Sequence, residues 1–412
     1  MGYRVEVIDR NMRRIGEIDE WISLDFTVRL CEEGSWQLLI KAGTTQAELI
    51  QKGGGIVIWQ DGVNTPLLSG QVDTFQLYWT TVQHTGPGSV YIAGKCHNTL
   101  AYRRLAFPDP SRSAVDQWKS SVSSRAIPAS TAAAKMIYDE LNKSIGPGAV
   151  ADRRVAGLNL QPSSLTNKGM ADTLRFDEVG EKLATWYDTT GVAYRLIYNA
   201  ETQLIDLVIF QPRDLSKSVR LSPELGNLRE YIWTVSAPKV TRAIVGCDGE
   251  NQERYYYQKI DTASEEEWGL QIETFVDRRD IQLKWDIPNG KVVKSDSEMT
   301  DADFQAAKDA AVDAATSALS EGEKNGNFQI YPIDTETCLF GRDYFVGDRI
   351  TVAINGVEYV DVVREVTISV DDGGNAVDVH PKIGEQGSGE PLNLYATVDE
   401  LRKKLRRLEA RM

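Results

Sequence analysis

The sequence predicts a β-rich α+β protein in which two β-barrel-like domains flank an α+β domain and a coiled-coil helix ends the chain. Three observations lead to this prediction. Apolar and polar residues alternate over short runs in the first and last parts of the chain, which is typical of half-buried strands. Helical periodicity appears in the middle and again in one alanine-rich run. The last apolar residues have spacings of 3, 4, 3 and 4, which are those of a coiled-coil seam.

Residues 1–105 are predicted to form the first β-barrel-like domain. Apolar residues occupy every second position over 24–30 and again over 36–40, with a turn at Glu33 and Gly34 between them. Further strands are predicted at 56–60, 67–77 and 89–96. Several short strands with glycine turns and no helix predict a closed or nearly closed barrel.

Residues 106–222 are predicted to form the α+β domain. Proline and serine dominate 107–130, which predicts an exposed loop between domains or a contact arm. Helical periodicity follows at 133–145 and at 176–186, and the second helix is predicted to end at Gly191 as a left-handed cap. A hairpin is then predicted from strands at 192–198 and 203–210.

Residues 223–384 are predicted to form a second β-barrel-like domain that contains an alanine-rich helix at 300–320. Thr300 is the predicted cap of this helix, and the small residues along one of its faces would let it lie close to a sheet. Asn355 followed by Gly356 is a strong hairpin signal. Strands are predicted at 228–235, 239–247, 254–260 and 269–276, and in a closing meander.

A flexible linker at 385–396 precedes the predicted coiled-coil helix at 397–412, which begins with a capping box of Thr397 and Glu400. A helix this short is marginal alone, so it needs partners. It either packs on its own domain or associates with copies of itself; the linker favours self-association, and the sequence leaves the copy number open. The residues predicted to mediate oligomerisation are Val398, Leu401, Leu405, Leu408 and Met412.

The charge distribution argues against several classes of protein. The net charge is −14, and 397–412 carries six Lys or Arg against three Asp or Glu, so the rest of the chain carries −17. Contacts to phosphates need clustered cations, so we expect no sequence-specific nucleic-acid binding. No run of about 18 apolar residues exists, so we expect no membrane span. Four scattered cysteines are typical of a chain made in a reducing cytoplasm.

Patterns of catalytic or metal-binding residues are missing from the sequence. The histidines His84, His97 and His380 have no metal-ligand spacing between them. Nucleophile elbows, phosphate-binding loops and dinucleotide fingerprints are not found. Acidic residues, at 60 of 412, are too abundant for a pair of them to indicate a glycosidase. We therefore expect no catalytic residue, no metal and no cofactor.

The stretch 268–280 is dense in aromatic and charged residues and is a candidate interface. Its arginines and aspartates can pair with each other or across an interface through the arginine fork, or they form only a surface ion-pair network. The tyrosines at 255–257 together with Trp268 could stack on sugar rings, although strand geometry predicts that alternate members belong to the core. The candidate interface residues are Trp268, Asp277, Arg278 and Arg279.

Seven short motifs follow one another in a recognisable order. They are VEVIDRNMRRIGEIDEW at 5–21, EEGSWQLLI at 32–40, LAYRRLAFP at 100–108, QPRDLS at 211–216, GNLRE at 226–230, WGLQIETFVDRR at 268–279 and YFVGDRITV at 344–352. Taken together, they resemble the tail-hub family of long-tailed bacteriophages, the minor tail proteins of the tail tip. The resemblance covers most of residues 1–384.

The resemblance implies a structural, non-enzymatic protein of the virion tail tip. It implies a homotrimer whose barrels form a pseudo-sixfold ring on the distal tail protein ring. It also implies a tail channel closed before ejection, contact with the C-terminus of the tape-measure protein, and a central spike or fibre protein carried below. Many relatives continue into a receptor-binding or cell-wall-degrading part, whereas this sequence stops at Met412, so we expect such an activity in another protein.

Two other functions fit parts of the sequence. Nine tryptophans and the strand-rich character also suit a carbohydrate-binding or cell-wall-cleaving tail protein. A distal tail ring protein of related fold is the third candidate; it would form hexamers and would have no use for a threefold coil.

Overall fold

A computed structural model describes residues 2–79, 87–235, 237–322, 326–332 and 338–383. The described chain divides into two compact units: unit 1 comprises residues up to 232 together with 328–383, and unit 2 comprises residues 233–327. The predicted linker and coiled-coil helix at 385–412 lie outside the described residues.

Unit 1 begins with strands joined by turns and two short helices. The expectation of no helix in this region is wrong, because the Thr44 side chain accepts the Ala47 N–H at 3.1 Å and caps one helical turn. The elements are β1 (Tyr3–Ile8), β2 (Arg14–Ile18), β3 (Ser23–Arg29), β4 (Ser35–Lys41), α1 (Thr45–Glu48), β5 (Gly55–Gln60), β6 (Leu68–Tyr78), β7 (Ser89–Cys96), α2 (Thr99–Tyr102) and β8 (Leu105–Ala106).

The middle of unit 1 combines helices with short strands, as the sequence predicts. The second long helix ends at Gly191, which has a φ of 68° and is the predicted left-handed cap. Short 3-10 helices lie at Ala114–Lys119 and Ala151–Arg153. The remaining elements are β9 (Arg125–Ile127), α3 (Ala133–Ser144), β10 (Leu158–Asn159), β11 (Asp172–Leu174), β12 (Asp177–Glu178), α4 (Val179–Thr190), β13 (Ala193–Asn199), β14 (Leu204–Phe210), β15 (Arg220–Leu221) and β16 (Leu228–Val235).

Unit 2 is a small sheet covered on one face by the alanine-rich helix. Its elements are β17 (Arg242–Gly246), a 3-10 helix (Asn251–Glu253), β18 (Tyr256–Ile260), α5 (Thr262–Trp268), β19 (Glu273–Asp277), β20 (Leu283–Asp286), β21 (Lys291–Lys294) and α6 (Asp301–Glu321). The strand order is β18, β17, β19, and β20 pairs with β21. Ala311 and Ala315 of α6 are buried in one cluster with Ala243 and Val245 of β17. The prediction that small residues let this helix lie on a sheet is confirmed.

The last strands of unit 1 are β22 (Gly326–Pro332), β23 (Arg349–Ile354), β24 (Val357–Val370) and β25 (Ala376–Ile383). Asn355 and Gly356 have φ angles of 52° and 78° and join β23 to β24, which confirms the predicted hairpin. β24 pairs on its other side with β3, where Thr367 lies opposite Thr27. Strands from both ends of unit 1 therefore share one sheet.

This shared sheet has 13 strands, ordered β16, β22, β25, β24, β3, β4, β7, β6, β5, β1, β2, with β23 and β15 attached beside β24. Its β3 pairs with β4 and β24 rather than with β2, so the predicted closed barrels are wrong for the described residues. The alternating apolar faces of β3 and β24 belong to one core, in which Phe26 and Ile368 are opposite each other. The domain boundaries stay a prediction.

A second sheet of unit 1, ordered β10, β14, β13, packs against the first through the free edge of β13. Three backbone N–H groups along this edge donate to side chains instead of to a strand. Tyr194 N–H donates to Cys31 Sγ at 3.4 Å, Leu196 N–H to Asn98 Oδ1 at 2.8 Å and Tyr198 N–H to Ser69 Oγ at 2.9 Å. All three bonds are buried, so they fix the position of β13.

Candidate functional site

One face of the unit 2 sheet exposes a group of apolar and aromatic side chains. In cross-strand register, Tyr256 is opposite Gly246, and Phe275 is opposite Ile244. Side chains alternate between the faces of a sheet, so these residues lie on the face opposite α6. Tyr256 is 48% exposed, Phe275 52% and Ile260 38%. We call this surface the aromatic face and define it by Tyr256, Phe275, Ile244, Ile260 and Arg254.

Arg254 holds the two aromatic rings of this face together. Its guanidinium lies 5.5 Å from the ring centroid of Tyr256 and 5.5 Å from that of Phe275. The ring centroids are 6.3 Å apart and the planes are tilted by 50°. The guanidinium also donates to the backbone oxygens of Gly246 at 3.2 Å and Cys247 at 3.1 Å and pairs with the Asp277 carboxylate. Its charge is therefore compensated while its flat sides contact the rings.

Gly246 provides the space for this arrangement. A Cβ atom at this position would lie 2.6 Å from Phe275 Cζ and 2.8 Å from a terminal nitrogen of Arg254. Real Cβ atoms do not approach other heavy atoms this closely, so any larger residue would displace the ring or the guanidinium. Side-chain packing, and not a positive φ angle, therefore favours glycine at this position.

Three of the four candidate interface residues lie at the end of β19 beside this face. Asp277 pairs with Arg254, and the Oδ2 of Asp277 lies 3.6 Å from Arg279 Nε. Arg278 donates two hydrogen bonds to Asp280, at 2.8 and 2.6 Å, and this pairing raises the pKa of Arg278 and lowers that of Asp280. The charges thus pair within the chain. Pairing of these charges across an interface remains a prediction.

Trp268, the fourth candidate, is the last residue of α5 and is half-buried. The helix is capped by Asp261, which accepts the Ser264 N–H at 3.1 Å, and it ends at Gly269 with a φ of 66°. Arg242 of β17 binds Glu265 through two hydrogen bonds of 2.6 and 2.9 Å. These two bonds join α5 to the sheet.

The sequence pattern singles out neither Arg254 nor Gly246, and it includes Phe275 only as part of the candidate interface stretch 268–280. Alternate residues of β18 and of β19 are exposed in the structure, as the period of two of a strand predicts. Nothing in the sequence indicates that Arg254 lies between two rings, because its partner Asp277 is 23 residues away. Spacing along the chain does not report such a contact.

Unit 1 exposes apolar side chains in two further places. The hairpin of β6 and β7 carries Phe75 at 48%, Leu77 at 61% and Trp79 at 59% exposure, and we call these three residues the hairpin stripe. In the proline- and serine-rich segment, Val115 and Trp118 are each 79% exposed. Contiguous exposed apolar residues of this kind mark interaction sites.

The described ranges contain no group of three or more side chains suited to hold a metal ion. Among the histidines, His97 is buried beside Ser69, with its Nδ1 2.8 Å from Ser69 Oγ, and His380 lies 3.7 Å from Asp378. His84 and the predicted oligomerisation residues at 398–412 lie outside the described residues. None of the described helices is both long and apolar enough to cross a bilayer.

Comparison with known proteins found one matching family and similar solved structures. The model of the family described as Siphovirus ReqiPepy6 Gp37-like protein matches residues 4–385. The 43 kDa tail protein of prophage MuSo2 from Shewanella oneidensis is 11% identical, with a TM-score of 0.54 over 93% of this chain and 98% of that one. The tail protein from Neisseria meningitidis MC58 is 11% identical, with a TM-score of 0.51 over 94% and 98%. No curated protein sequence matches. These structures share the fold.

Proposed function

This chain belongs to the Siphovirus ReqiPepy6 Gp37-like family of phage tail proteins, and from that premise we propose that it is the structural hub of a phage tail tip. In this role three copies form a ring that joins the distal tail protein ring to a central spike or fibre and closes the tail channel. The protein works by assembly and has no enzymatic role in this proposal. Its place is the tail tip of the virion.

The aromatic face is the observation that carries the proposal. Aromatic and arginine side chains are the residues that most often dominate the binding energy of protein interfaces. Here an arginine and two aromatic rings are held in a fixed arrangement while both rings remain about half exposed. Fixed side chains lose little entropy on binding, so the face is suited to contact another folded surface.

The hairpin stripe supports a ring of identical copies. A closed ring of subunits needs two different surfaces on each chain, because every contact joins unlike patches. The aromatic face belongs to unit 2 and the hairpin stripe to unit 1, so each chain carries two distinct apolar surfaces. In the proposal the aromatic face of one copy contacts the hairpin stripe of the next copy, and the ring contacts the distal tail protein through other surfaces.

The predicted helix at 397–412 completes the proposal below the ring. Its seam of Val398, Leu401, Leu405, Leu408 and Met412 would bring three copies together on the axis, where the spike or fibre protein attaches. The tape-measure C-terminus would meet the ring from above. This part rests on the sequence and on the resemblance to tail hubs.

Oligomeric state tests the proposal directly. The experiment compares the wild type, the variant Tyr256→Ser with Phe275→Ser, and the control Ile287→Ser by mass photometry, alone and with the distal tail protein. Ile287 is 50% exposed in the same unit but belongs to the turn between β20 and β21 and not to the aromatic face. We expect a trimer for the wild type and control and monomers for the double variant.

Two results would contradict this assignment. A wild type that stays monomeric at high concentration and beside its distal tail partner would rule out a hub. Hexamers would favour a distal tail ring protein. The glycan-binding alternative is less well supported by the geometry, because a flat sugar ring does not match two ring planes tilted by 50° with an arginine between them. Release of sugar from host cell wall would nevertheless establish it.

A further inference from the structure

A surface of unit 1 combines arginine and aromatic side chains around the short strand β8. Phe107, which follows this strand, packs edge-on against Phe176, with the ring centroids 5.6 Å apart. The guanidinium of Arg153 lies 3.7 Å from the ring centroid of Phe107 and donates to the Leu105 carbonyl at 2.6 Å. Arg104 directly precedes the strand. We call these five residues the arginine patch; the proposed function does not use it.

Phe176 has an unfavourable backbone conformation while its ring stays accessible. Its φ is 59°, in the left-handed region that bulky side chains rarely adopt. The Phe176 N–H donates to the Ala106 carbonyl at 2.8 Å and the ring packs on Phe107, so these contacts maintain the conformation. Phe176 is nevertheless 44% exposed and Leu105 is 45% exposed. Backbone strain of this kind is concentrated at functional sites, which favours a role for this ring in binding.

The two arginines of the patch have no carboxylate partner among the residues that the structure describes. Arg104 donates to the Arg103 carbonyl at 3.2 Å, and its Nε is buried without a hydrogen-bond partner. Nη2 of Arg104 and Nη1 of Arg153 make no hydrogen bond to a described residue either, but these two atoms are not buried. By contrast, Arg29 and Arg242, which are also half-buried, each bind a carboxylate. The patch therefore has free donors that can reach a partner.

The charges of Arg104 and Arg153 also repel each other. Burial and then the charge of Arg104 lower the pKa of Arg153, whereas Glu140 and Asp152 act in the opposite direction without forming an ion pair with it. The Glu140 carboxylate instead binds Arg125 at 2.5 Å. The chain has 60 acidic and 46 basic residues, so acidic side chains are abundant, yet none pairs with these two cations. An anionic group beside both would offset their repulsion.

We propose that the arginine patch binds an acidic segment of a partner polypeptide, in which carboxylates stand next to an apolar side chain. The carboxylates pair with the free guanidinium nitrogens of Arg104 and Arg153. The apolar side chain contacts the exposed parts of Phe176 and Leu105. Nucleic acid is disfavoured, because a chain with a net charge of −14 repels a phosphate backbone and two arginines do not offset this. The inference does not depend on the hub proposal.

The test uses the full chain and two peptides of equal length. In one, glutamates alternate with leucine and phenylalanine; in the other, glutamines replace the glutamates. Each carries a neutral fluorophore, and binding is measured by fluorescence anisotropy. We expect saturable binding of the acidic peptide and on the order of tenfold weaker binding of the neutral one. Arg153→Gln should weaken the acidic peptide to a similar extent, whereas Arg279→Gln, which removes a 69% exposed arginine outside the patch, should leave its affinity unchanged.

A second variant keeps the test decisive if Arg153→Gln does not fold. Phe176→Asn removes the ring, and asparagine accepts a positive φ, so we expect the variant to fold and to bind the acidic peptide at least about threefold more weakly. Equal affinity of the wild type for the two peptides would overturn the proposal. So would wild-type affinity in both variants. Tighter binding of a labelled single-stranded oligothymidine than of the acidic peptide would also overturn it, in favour of a nucleic-acid site.

Discussion

The backbone N–H of Leu196 donates to Oδ1 of Asn98 at 2.8 Å, inside the core and 98 residues apart in the chain. A strand edge without a neighbouring strand normally leaves its N–H groups to water. Here the free edge of β13 is instead satisfied by side chains from three separate positions, Cys31, Asn98 and Ser69. The edge can therefore be buried without unsatisfied donors.

We expect Asn98→Ala to lower the free energy of unfolding by about 3 kcal/mol. The substitution leaves the buried Leu196 N–H unpaired, at a cost of roughly 1–3 kcal/mol, and removes the part-buried bond of 3.0 Å from Asn98 Nδ2 to the Glu32 carbonyl, which contributes roughly 0.5–1.5 kcal/mol. Urea denaturation measures the loss. The control Asn289→Ala removes an exposed bond to Asp286 and should change stability by less than about 0.5 kcal/mol. Equal effects of the two variants would contradict the argument.

His97 makes the stability of unit 1 sensitive to acid. Burial lowers its pKa to about 3 in the folded state, whereas an unfolded histidine has a pKa of about 6.5. Below pH 6.5 the unfolded chain takes up a proton that the folded chain excludes, so stability falls by about 1.4 kcal/mol per pH unit from this residue until about pH 3.

The variant His97→Gln isolates this contribution. We expect the variant to be less stable than the wild type at pH 7, because the substitution disturbs the bond to Ser69. We also expect its free energy of unfolding to fall less than that of the wild type on acidification. The difference between the two proteins should shrink by roughly 2 kcal/mol between pH 7 and pH 5. Chemical denaturation at the two pH values measures it. If the difference in the free energy of unfolding between the two proteins did not change with pH, the His97 imidazole would accept its proton in the folded protein.

Arg254 should stabilise unit 2 far more than Arg279 does. Its side chain is only 12% exposed, donates to two backbone oxygens and pairs with Asp277. We therefore expect Arg254→Ala to lower the free energy of unfolding by about 2 kcal/mol. Arg279 is 69% exposed and 3.6 Å from the same aspartate, so Arg279→Ala should change stability by less than about 0.5 kcal/mol. Thermal denaturation compares them. If Arg279→Ala cost more stability than Arg254→Ala, the pair of Asp277 with Arg279 would contribute more to stability than its pair with Arg254.

Gly246→Ala should displace the side chains of the aromatic face. The added methyl would lie 2.6 Å from Phe275 Cζ, and we expect a cost of about 1–3 kcal/mol. The companion variant combines Gly246→Ala with Phe275→Ala. If the clash is with the ring, the glycine substitution should cost less in this background, and a double-mutant cycle from urea denaturation measures the coupling. Additive effects would instead point to Arg254 as the obstructed group.

Arg195→Met should raise the stability of unit 1 by about 1 kcal/mol, because it replaces a half-buried cation, for which the described residues provide no ion pair, by an apolar side chain of similar length. Urea denaturation measures the gain. Arg279→Met provides the control, since an exposed arginine should give no such gain. A loss of stability in Arg195→Met would show that the guanidinium stabilises the isolated chain.

Local patterns in the sequence predicted local structure well. Thr300 caps α6, since its hydroxyl oxygen accepts the Asp303 N–H at 3.1 Å. The turn at Asn355 and Gly356 has the positive φ angles that an Asn-Gly hairpin turn requires. These features depend on neighbours a few residues apart, so a short stretch of sequence contains the relevant information.

The pairing of distant strands was not predictable in this way. Alternation over 24–30 shows which face of β3 is buried, but it does not show that β24 is its neighbour instead of another strand of residues 1–105. The closed barrel was therefore the wrong expectation. The aromatic face was missed for the same reason, because its parts come from β17, β18, β19 and the turn before β18.

The pairing of β3 with β24 also determines when the protein can acquire its structure during translation. One edge of β3 pairs with residues 365–370. Nearly the whole described chain must therefore be synthesised before that edge is covered. A prematurely terminated polypeptide retains an open edge in the middle of the sheet. An open strand edge of this kind can pair with other chains, so truncated copies are expected to aggregate.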